Sequence, residues 1–202
     1  MKKLFLPILL FSLVPACFCG AQGTFIYDQQ SSDEFNVLAG GVAINPVAQP
    51  AQSFTPSLAG VGFIRLFIRD NDPQDLVGTT LLVNLRSNSF DGPVLASTTP
   101  VPILNGHGGS VNFFFTSTVG VTPGLPYYFD IIRQGGNDSW TANISFYNYG
   151  GGSLYLLGSP DSSGRDMWFR SGLYVPEPSS TALGILGATC LAWTRRRRIL
   201  TT

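Results

Sequence analysis

Apolar and polar residues alternate in several stretches of this chain, and this period of two constrains the fold more than any other feature. In the stretch 140–147, the apolar side chains occupy every second position: Trp140, Ala142, Ile144 and Phe146. Successive side chains of a β-strand point to opposite faces, so the pattern predicts a half-buried strand. Similar patterns, some weaker, occur at Phe25–Tyr27, Gln52–Thr55, Leu81–Leu85, Val94–Ser97, Val111–Phe115, Tyr127–Ile131, Leu154–Leu157 and Met167–Arg170. The stretch Phe63–Ile68 is apolar at both sets of positions, which predicts a central strand.

Turn-forming residues separate these stretches, and helix-forming residues are scarce between them. The runs Asp91–Pro93, Gly106–Gly109, Gly135–Asn137 and Gly150–Gly152 are typical turn sequences. Many short strands joined by such turns predict an all-β fold, a single two-sheet β-sandwich over residues 22–174, with a jelly roll as one form of it. The segment Val121–Tyr127 resembles the turn followed by tyrosine of many extracellular sandwich domains, and the resemblance implies that the Tyr127 hydroxyl ties its strand to the corner.

The first 21 residues have the pattern of a secretory signal peptide. Lys2 and Lys3 precede an apolar run from Leu4 to Val14, and small residues follow it. This pattern predicts cleavage before Gln22. A first buried strand or helix and a lipoprotein signal at Cys17 are the alternatives.

Residues 22–174, which we call the body, contain six arginines, no lysine and eleven carboxylates, a balance near −5. A domain without a basic patch lacks the attraction for phosphate backbones, which argues against nucleic-acid binding. Cleavage before Gln22 removes Cys17 and Cys19 and leaves Cys190 in the tail. The body is therefore expected to contain no disulfide, no zinc–thiolate site and no thiol nucleophile.

The C-terminal residues 175–198 have three parts in a fixed order. The tripeptide Pro176, Glu177 and Pro178 is followed by an uncharged apolar stretch at 181–194 and by four arginines at 195–198. A helix over 181–194 is about 21 Å long, which is short for a hydrocarbon core of about 30 Å. Snorkelling arginines and local thinning reduce that difference, so we expect a transmembrane helix with the arginines in the cytoplasm.

This tail, paired with the signal peptide, resembles the PEP-CTERM sorting signal of exopolysaccharide-producing Gram-negative bacteria. The resemblance implies recognition by an exosortase through Pro176, Glu177 and Pro178, after signal peptidase has acted at the other end. It implies membrane retention through the helix and through Arg195, Arg196, Arg197 and Arg198. The protein is then an inner-membrane intermediate that reaches the cell surface or extracellular matrix, where exopolysaccharide is an expected partner.

The segment 70–75 is the densest group of oxygen-bearing side chains in the body. Clustered carboxylates suit Ca²⁺, which takes six to eight oxygen ligands, so Asp70, Asp72 and Asp75 form a candidate calcium site. The alternative is a solvated hairpin loop whose Asp and Asn side chains stabilise turns. Asp161 and Asp166 form a second and weaker pair.

Aromatic residues near the end of the body form a candidate glycan-stacking surface. Sugar rings stack their apolar faces on aromatic rings. The aromatic residues considered are Trp140, Tyr147, Tyr149, Tyr155 and Trp168, and the best candidates are Tyr147, Tyr149 and Trp168. Trp140 shares its strand face with other apolar residues and is expected in the core. A role in packing alone is the alternative for the three candidates.

No sequence motif of an enzyme is recognised in the body. His107 is its single imidazole and lies in a glycine-rich turn, without a nucleophile motif or a phosphate-binding loop. We therefore expect a non-enzymatic surface or matrix protein without a resident cofactor. A carbohydrate-binding module that recognises exopolysaccharide is the alternative, and a hydrolase is a remote third.

Overall fold

The computed structural model describes residues 23–31, 40–47, 49–145 and 149–176. These residues form fourteen strands, and no helix is present among them. The strands are β1 (Thr24–Gln30), β2 (Gly41–Ala43), β3 (Ala51–Phe54), β4 (Gly60–Asp70), β5 (Thr79–Ser87), β6 (Val94–Ser97), β7 (Val101–Ile103), β8 (Gly108–Gly120), β9 (Tyr127–Gly135), β10 (Trp140–Ser145), β11 (Leu154–Leu156), β12 (Ser159–Pro160), β13 (Asp166–Met167) and β14 (Phe169–Val175). The segment Thr24–Val175 forms one compact unit.

The strands form two antiparallel sheets of seven strands each. In the first sheet, β4 pairs with β8 along one side and with β14 and then β10 along the other. β1 pairs with β14, and β2 and β13 pair with β10. The second sheet has the order β12-β11-β3-β9-β5-β6, and β7 also pairs with β5.

The inner faces of both sheets contribute to one hydrophobic core. From the first sheet the core takes alternate residues of β4 and β8, and from the second it takes alternate residues of β5 and β9. The fully buried members include Ile64, Phe113, Leu85 and Phe129. Burial of this apolar surface, at roughly 25 cal/mol per Å², is the main stabilising term of a fold without disulfides. Two antiparallel sheets around a shared core are consistent with the predicted β-sandwich.

The turn before β9 has the predicted tyrosine contact. The backbone N–H of Thr122 donates to Tyr127 Oη at 2.9 Å, and Tyr127 is buried. Gly124, at the tip of this turn, has a φ of 82° and donates its N–H to the carbonyl of Pro56. The hydroxyl therefore fixes the corner where the chain enters the second sheet.

Most predicted strands are present, and the differences fall at short or edge strands. The alternating stretch that begins at Trp140 forms β10, with Trp140 fully buried, and Phe63–Ile68 lies in β4 with partners on both sides. The predicted strand Met167–Arg170 is divided at Trp168 between β13 and β14. The short strands β2, β7 and β12 were not predicted, because three or fewer residues show no periodicity.

The two predicted terminal segments, 1–21 and 181–194, lie outside the described residues. Within the described ranges, no helix has the length and apolar character needed to cross a membrane.

Candidate functional site

Asp70, the first candidate calcium ligand, is almost fully buried at the end of β4. Its Oδ1 accepts hydrogen bonds from Asp72 N at 3.0 Å and from Ser139 Oγ at 3.2 Å. Its Oδ2 accepts one from Gly106 N at 2.9 Å. One carboxylate therefore holds three loop segments together.

Asp75, the third candidate, is engaged in the same manner. It accepts hydrogen bonds from Val77 N at 2.7 Å and from the side chain of Asn137, and these bonds lower the pKa of Asp75. Asp72 is exposed. Among the residues that the structure describes, no three His, Cys, Asp or Glu side chains are grouped as a metal site requires. The loop has the internal hydrogen bonds of the turn alternative, and the calcium site stays a prediction without support from this geometry.

Trp168, a candidate for glycan stacking, is 1% exposed. Its ring contacts Phe67 edge-on at 6.0 Å between centroids, and the Arg170 guanidinium lies 5.8 Å from the ring centroid. A ring that is closed on both sides offers no face to a sugar, so Trp168 has a packing role in this structure.

Tyr149 is half-buried against the core. Its hydroxyl donates to Gln29 Oε1 at 2.7 Å, and its ring meets Phe169 edge-on at 5.2 Å. Burial raises the pKa of Tyr149 to about 12. These contacts favour the packing alternative for Tyr149 as well, and Tyr147 lies outside the described residues.

Asp161 and Asp166, the weaker candidate pair, have separate partners. Asp161 forms an ion pair with Arg165 at 2.8 Å, and the hydrogen bonds from Arg165 lower the pKa of Asp161. Asp166 is buried and accepts hydrogen bonds from Gln52 Nε2 and Tyr149 N, both at 2.8 Å. Burial raises the pKa of Asp166. The two carboxylates act as structural anchors for separate segments of the chain.

Three aromatic rings that were not among the best candidates of the sequence analysis lie on the outer face of the second sheet. They are Tyr128, Tyr155 and Phe90, which we call the ring array. The Phe90 and Tyr155 rings are parallel, at 1° and 6.1 Å between centroids, and Tyr128 meets Tyr155 edge-on at 5.5 Å. All three rings are partly exposed. The array is the largest group of accessible rings on this sheet among the described residues.

Cross-strand pairing places a polar group next to the ring array. Tyr155 is paired with Ala51, Ala51 with Asp130, and Asp130 with Asn84, so all four side chains lie on one face. Arg86 Nε donates to Asp130 Oδ1 at 2.7 Å, and Asn84 Nδ2 donates to Oδ2 at 3.2 Å. The side chain of Asp130 is 2% exposed and that of Arg86 is 20% exposed. The two charges of this ion pair cancel, and neighbouring side chains shield most of the pair from solvent.

A cleft of about 330 Å³ adjoins the ring array. It is lined by Pro46, Val47, Gln49, Phe90, Leu157 and Gly158. Val47 is 87% exposed and Leu157 is 71% exposed at its rim. Leu157 has a φ of 51°, in the left-handed region that leucine rarely adopts. Leu157, in the turn between β11 and β12, is therefore exposed to solvent in a backbone conformation that costs free energy.

A second cleft, of about 460 Å³, lies between β7 and β8. His107 lines it together with apolar side chains of both strands, among them Ile103 and Phe114. The His107 ring lies 3.3 Å from the carbonyl of Gly109, its own neighbour in the turn. Ser110 and Asn112 add polar side chains to this lining, and no carboxylate is among the described residues that line the cleft.

The outer face of the first sheet carries a self-packed aromatic cluster. Phe63 is fully buried there beneath the rings of Phe25 and Tyr27, at 4.9 and 5.8 Å between centroids. The Arg65 guanidinium lies 4.7 Å from the Phe25 centroid and 5.4 Å from that of Tyr27. These cation–π contacts cover the face with its own side chains.

Of the sorting residues, only Pro176 lies within the described ranges. It is exposed and follows directly after the last strand. The other sorting residues lie outside those ranges; they are Glu177, Pro178 and the four arginines at 195–198. The candidate site is therefore described without the tail.

Comparison with known proteins gave no relative: no protein-family model matches the chain, and no curated protein does.

Proposed function

We propose that this chain is an exported, non-enzymatic protein of the cell surface or extracellular matrix, delivered by the sorting signal at 175–198. The observation that carries the proposal is the pairing of β1 with β14. Thr24 is the register partner of Val175, so the start of the first strand and the end of the last strand lie side by side at one sheet edge. Every strand of both sheets lies between them. Cleavage before Gln22 and at the Pro–Glu–Pro tripeptide after Val175 therefore costs the described structure no strand pair.

The composition of the body fits the same route. All three cysteines, Cys17, Cys19 and Cys190, lie outside the compact unit, which therefore needs no oxidation step after export. The proposed order of processing is signal peptidase before Gln22, transient residence in the inner membrane, and exosortase at the Pro–Glu–Pro tripeptide.

The test replaces Pro176, Glu177 and Pro178 with alanine in the full-length chain. We expect the variant to remain in the inner-membrane fraction, because the peptidase no longer recognises its substrate. Replacing Ser179 and Ser180 with alanine is the matched control, which leaves the tripeptide intact. Equal surface delivery of wild type and the triple variant would overturn the sorting proposal.

Glycan recognition is a second candidate function. It is favoured by the ring array, because partly exposed rings beside hydrogen-bonding groups are a common means of holding sugar rings. This function is compatible with the sorting route, since an exported module meets exopolysaccharide outside the cell.

A further inference from the structure

We propose that the ring array and the adjoining cleft of about 330 Å³ form a binding site for a neutral oligosaccharide. The inference rests on the second candidate function and names its site, on Tyr155, Phe90, Tyr128 and Leu157. It does not depend on the sorting signal, because all these residues belong to the body.

The ring array adjoins the mouth of the cleft through Phe90. Phe90 belongs to both features: its ring is parallel to that of Tyr155, and it lines the cleft. Ala51, the cross-strand neighbour of Tyr155, is small and fully buried, so no long side chain stands between the rings and the sheet. A pyranose has a flat face of C–H groups that can stack on the exposed part of one such ring.

Leu157 places an exposed apolar side chain at the rim of the cleft. Its positive φ is a strained conformation for leucine, but Leu76, which does not line the cleft, has one as well, so only the exposed side chain of Leu157 supports a ligand site. Its side chain is 71% exposed, so burial in the free protein does not compensate for the strain. A ligand that covers Leu157 and Val47 would bury two apolar side chains that are now in water.

The local charges favour a neutral ligand. Arg86, the basic residue beside the array, is neutralised by Asp130 and also donates to the carbonyl of Gly92 at 2.9 Å. A body near −5 with no lysine repels acidic polymers. Polar groups at the site, the Tyr128 hydroxyl and the Gln49 amide, match the hydroxyl groups of a sugar better than a lipid chain.

The test uses the full-length chain in a zwitterionic detergent, because a glycoside detergent carries a sugar head group that would compete. Cellohexaose and mannohexaose are the neutral probes and an alginate hexasaccharide is the acidic one, each titrated by calorimetry. We expect a neutral probe to bind with a Kd of roughly micromolar to millimolar, as few stacking contacts must offset immobilisation. We expect no binding of the acidic probe.

Two variants locate the site. Tyr155→Ala is expected to weaken neutral binding about three- to tenfold through loss of a stacking ring. Leu157→Asn keeps a residue that tolerates the left-handed region, so the fold is retained while binding weakens about two- to threefold.

Matched controls lie at two other surfaces of the body. Leu104→Asn changes a leucine that is 84% exposed at the second cleft, and Tyr27→Ala removes a ring that is 39% exposed on the first sheet. Both are expected to bind like wild type. In methyl-labelled protein, the neutral probe is expected to shift the resonances of Leu157 and Val47 and to leave those of Leu104 unchanged.

The possible failures are distinguishable. If neither neutral probe binds, both the glycan function and this site are overturned. If one binds but Tyr155→Ala and Leu157→Asn leave its affinity unchanged, or if the shifts appear at Leu104, the glycan function survives and this site is overturned. Tighter binding of the acidic probe overturns the assignment of a neutral ligand.

Discussion

Tyr127 shows how a single hydroxyl group fixes a corner of this fold. We expect Tyr127→Phe to lower the free energy of unfolding by about 1 kcal/mol, because the N–H of Thr122 loses its acceptor while the ring stays in the core. Urea denaturation measures the difference. Tyr174→Phe is the matched control, since its hydroxyl has no hydrogen bond among the described residues, and it is expected to be neutral. Equal effects of the two substitutions would contradict the role of the corner.

Tyr149 makes stability depend on pH in the alkaline range. Burial raises its pKa from 10.0 to about 12, so the folded chain keeps a proton that the unfolded chain has lost. The contribution of Tyr149 to stability is therefore present below pH 10 and is lost as the pH rises to about 12. We expect the midpoint of urea unfolding to fall less steeply over this range in Tyr149→Phe than in wild type.

The same comparison shows whether another tyrosine contributes to the loss of stability at alkaline pH. Burial also raises the pKa of Tyr128, so the Tyr149→Phe slope is expected to be reduced and not abolished. Identical slopes in wild type and Tyr149→Phe would show that Tyr149 does not carry the effect.

At the scale of elements, the ion pair between Arg86 and Asp130 joins β5 to β9. Breaking a buried pair leaves a charge without its partner, so Asp130→Ala is expected to cost about 3 kcal/mol of unfolding free energy. Asp138→Ala is the matched control. Asp138 also pairs with an arginine, Arg133, whose side chain is 10% exposed. The Asp138 carboxylate itself is 77% exposed, so water already screens this pair, and its loss is expected to cost less than about 1 kcal/mol. Chemical denaturation compares the two, and similar costs would contradict the argument from burial.

Strand periodicity predicted the elements of the fold better than it predicted the site. The alternation around Trp140 and the apolar stretch in β4 are local patterns, and both strands are present. Of the ring array, the sequence analysis considered Tyr155 but ranked it below other aromatic residues, and it missed Phe90 and Tyr128. The three rings are distant in sequence and are brought together only by the order of strands in the sheet. Trp168 was selected as a ligand residue because the sequence does not show that Phe67 and Arg170 cover it.

At the scale of the whole molecule, the body is closed by the pairing of its first and last strands. No cysteine belongs to the described residues between these two strands, which extend from Thr24 to Val175. The stability of the unit Thr24–Val175 therefore depends on core packing and on hydrogen bonds and ion pairs within the unit. Shortening the chain at Val175 or before it tests this boundary.

A chain that starts at Gln22 and ends at Val175 is expected to melt at the same temperature as full-length protein, since every described strand pair is retained. A chain that ends at Gly172 loses the register partners of Thr24, Phe25 and Ile26. It also loses the contacts of the Tyr174 ring with Phe25 and Phe114, at 5.3 and 4.7 Å between centroids. We expect its melting temperature to fall by at least about 5 °C. Calorimetry on the three chains decides the boundary: a large drop already at Val175 would show that the tail contributes to the body, and no drop at Gly172 would show that β1 is not held by β14.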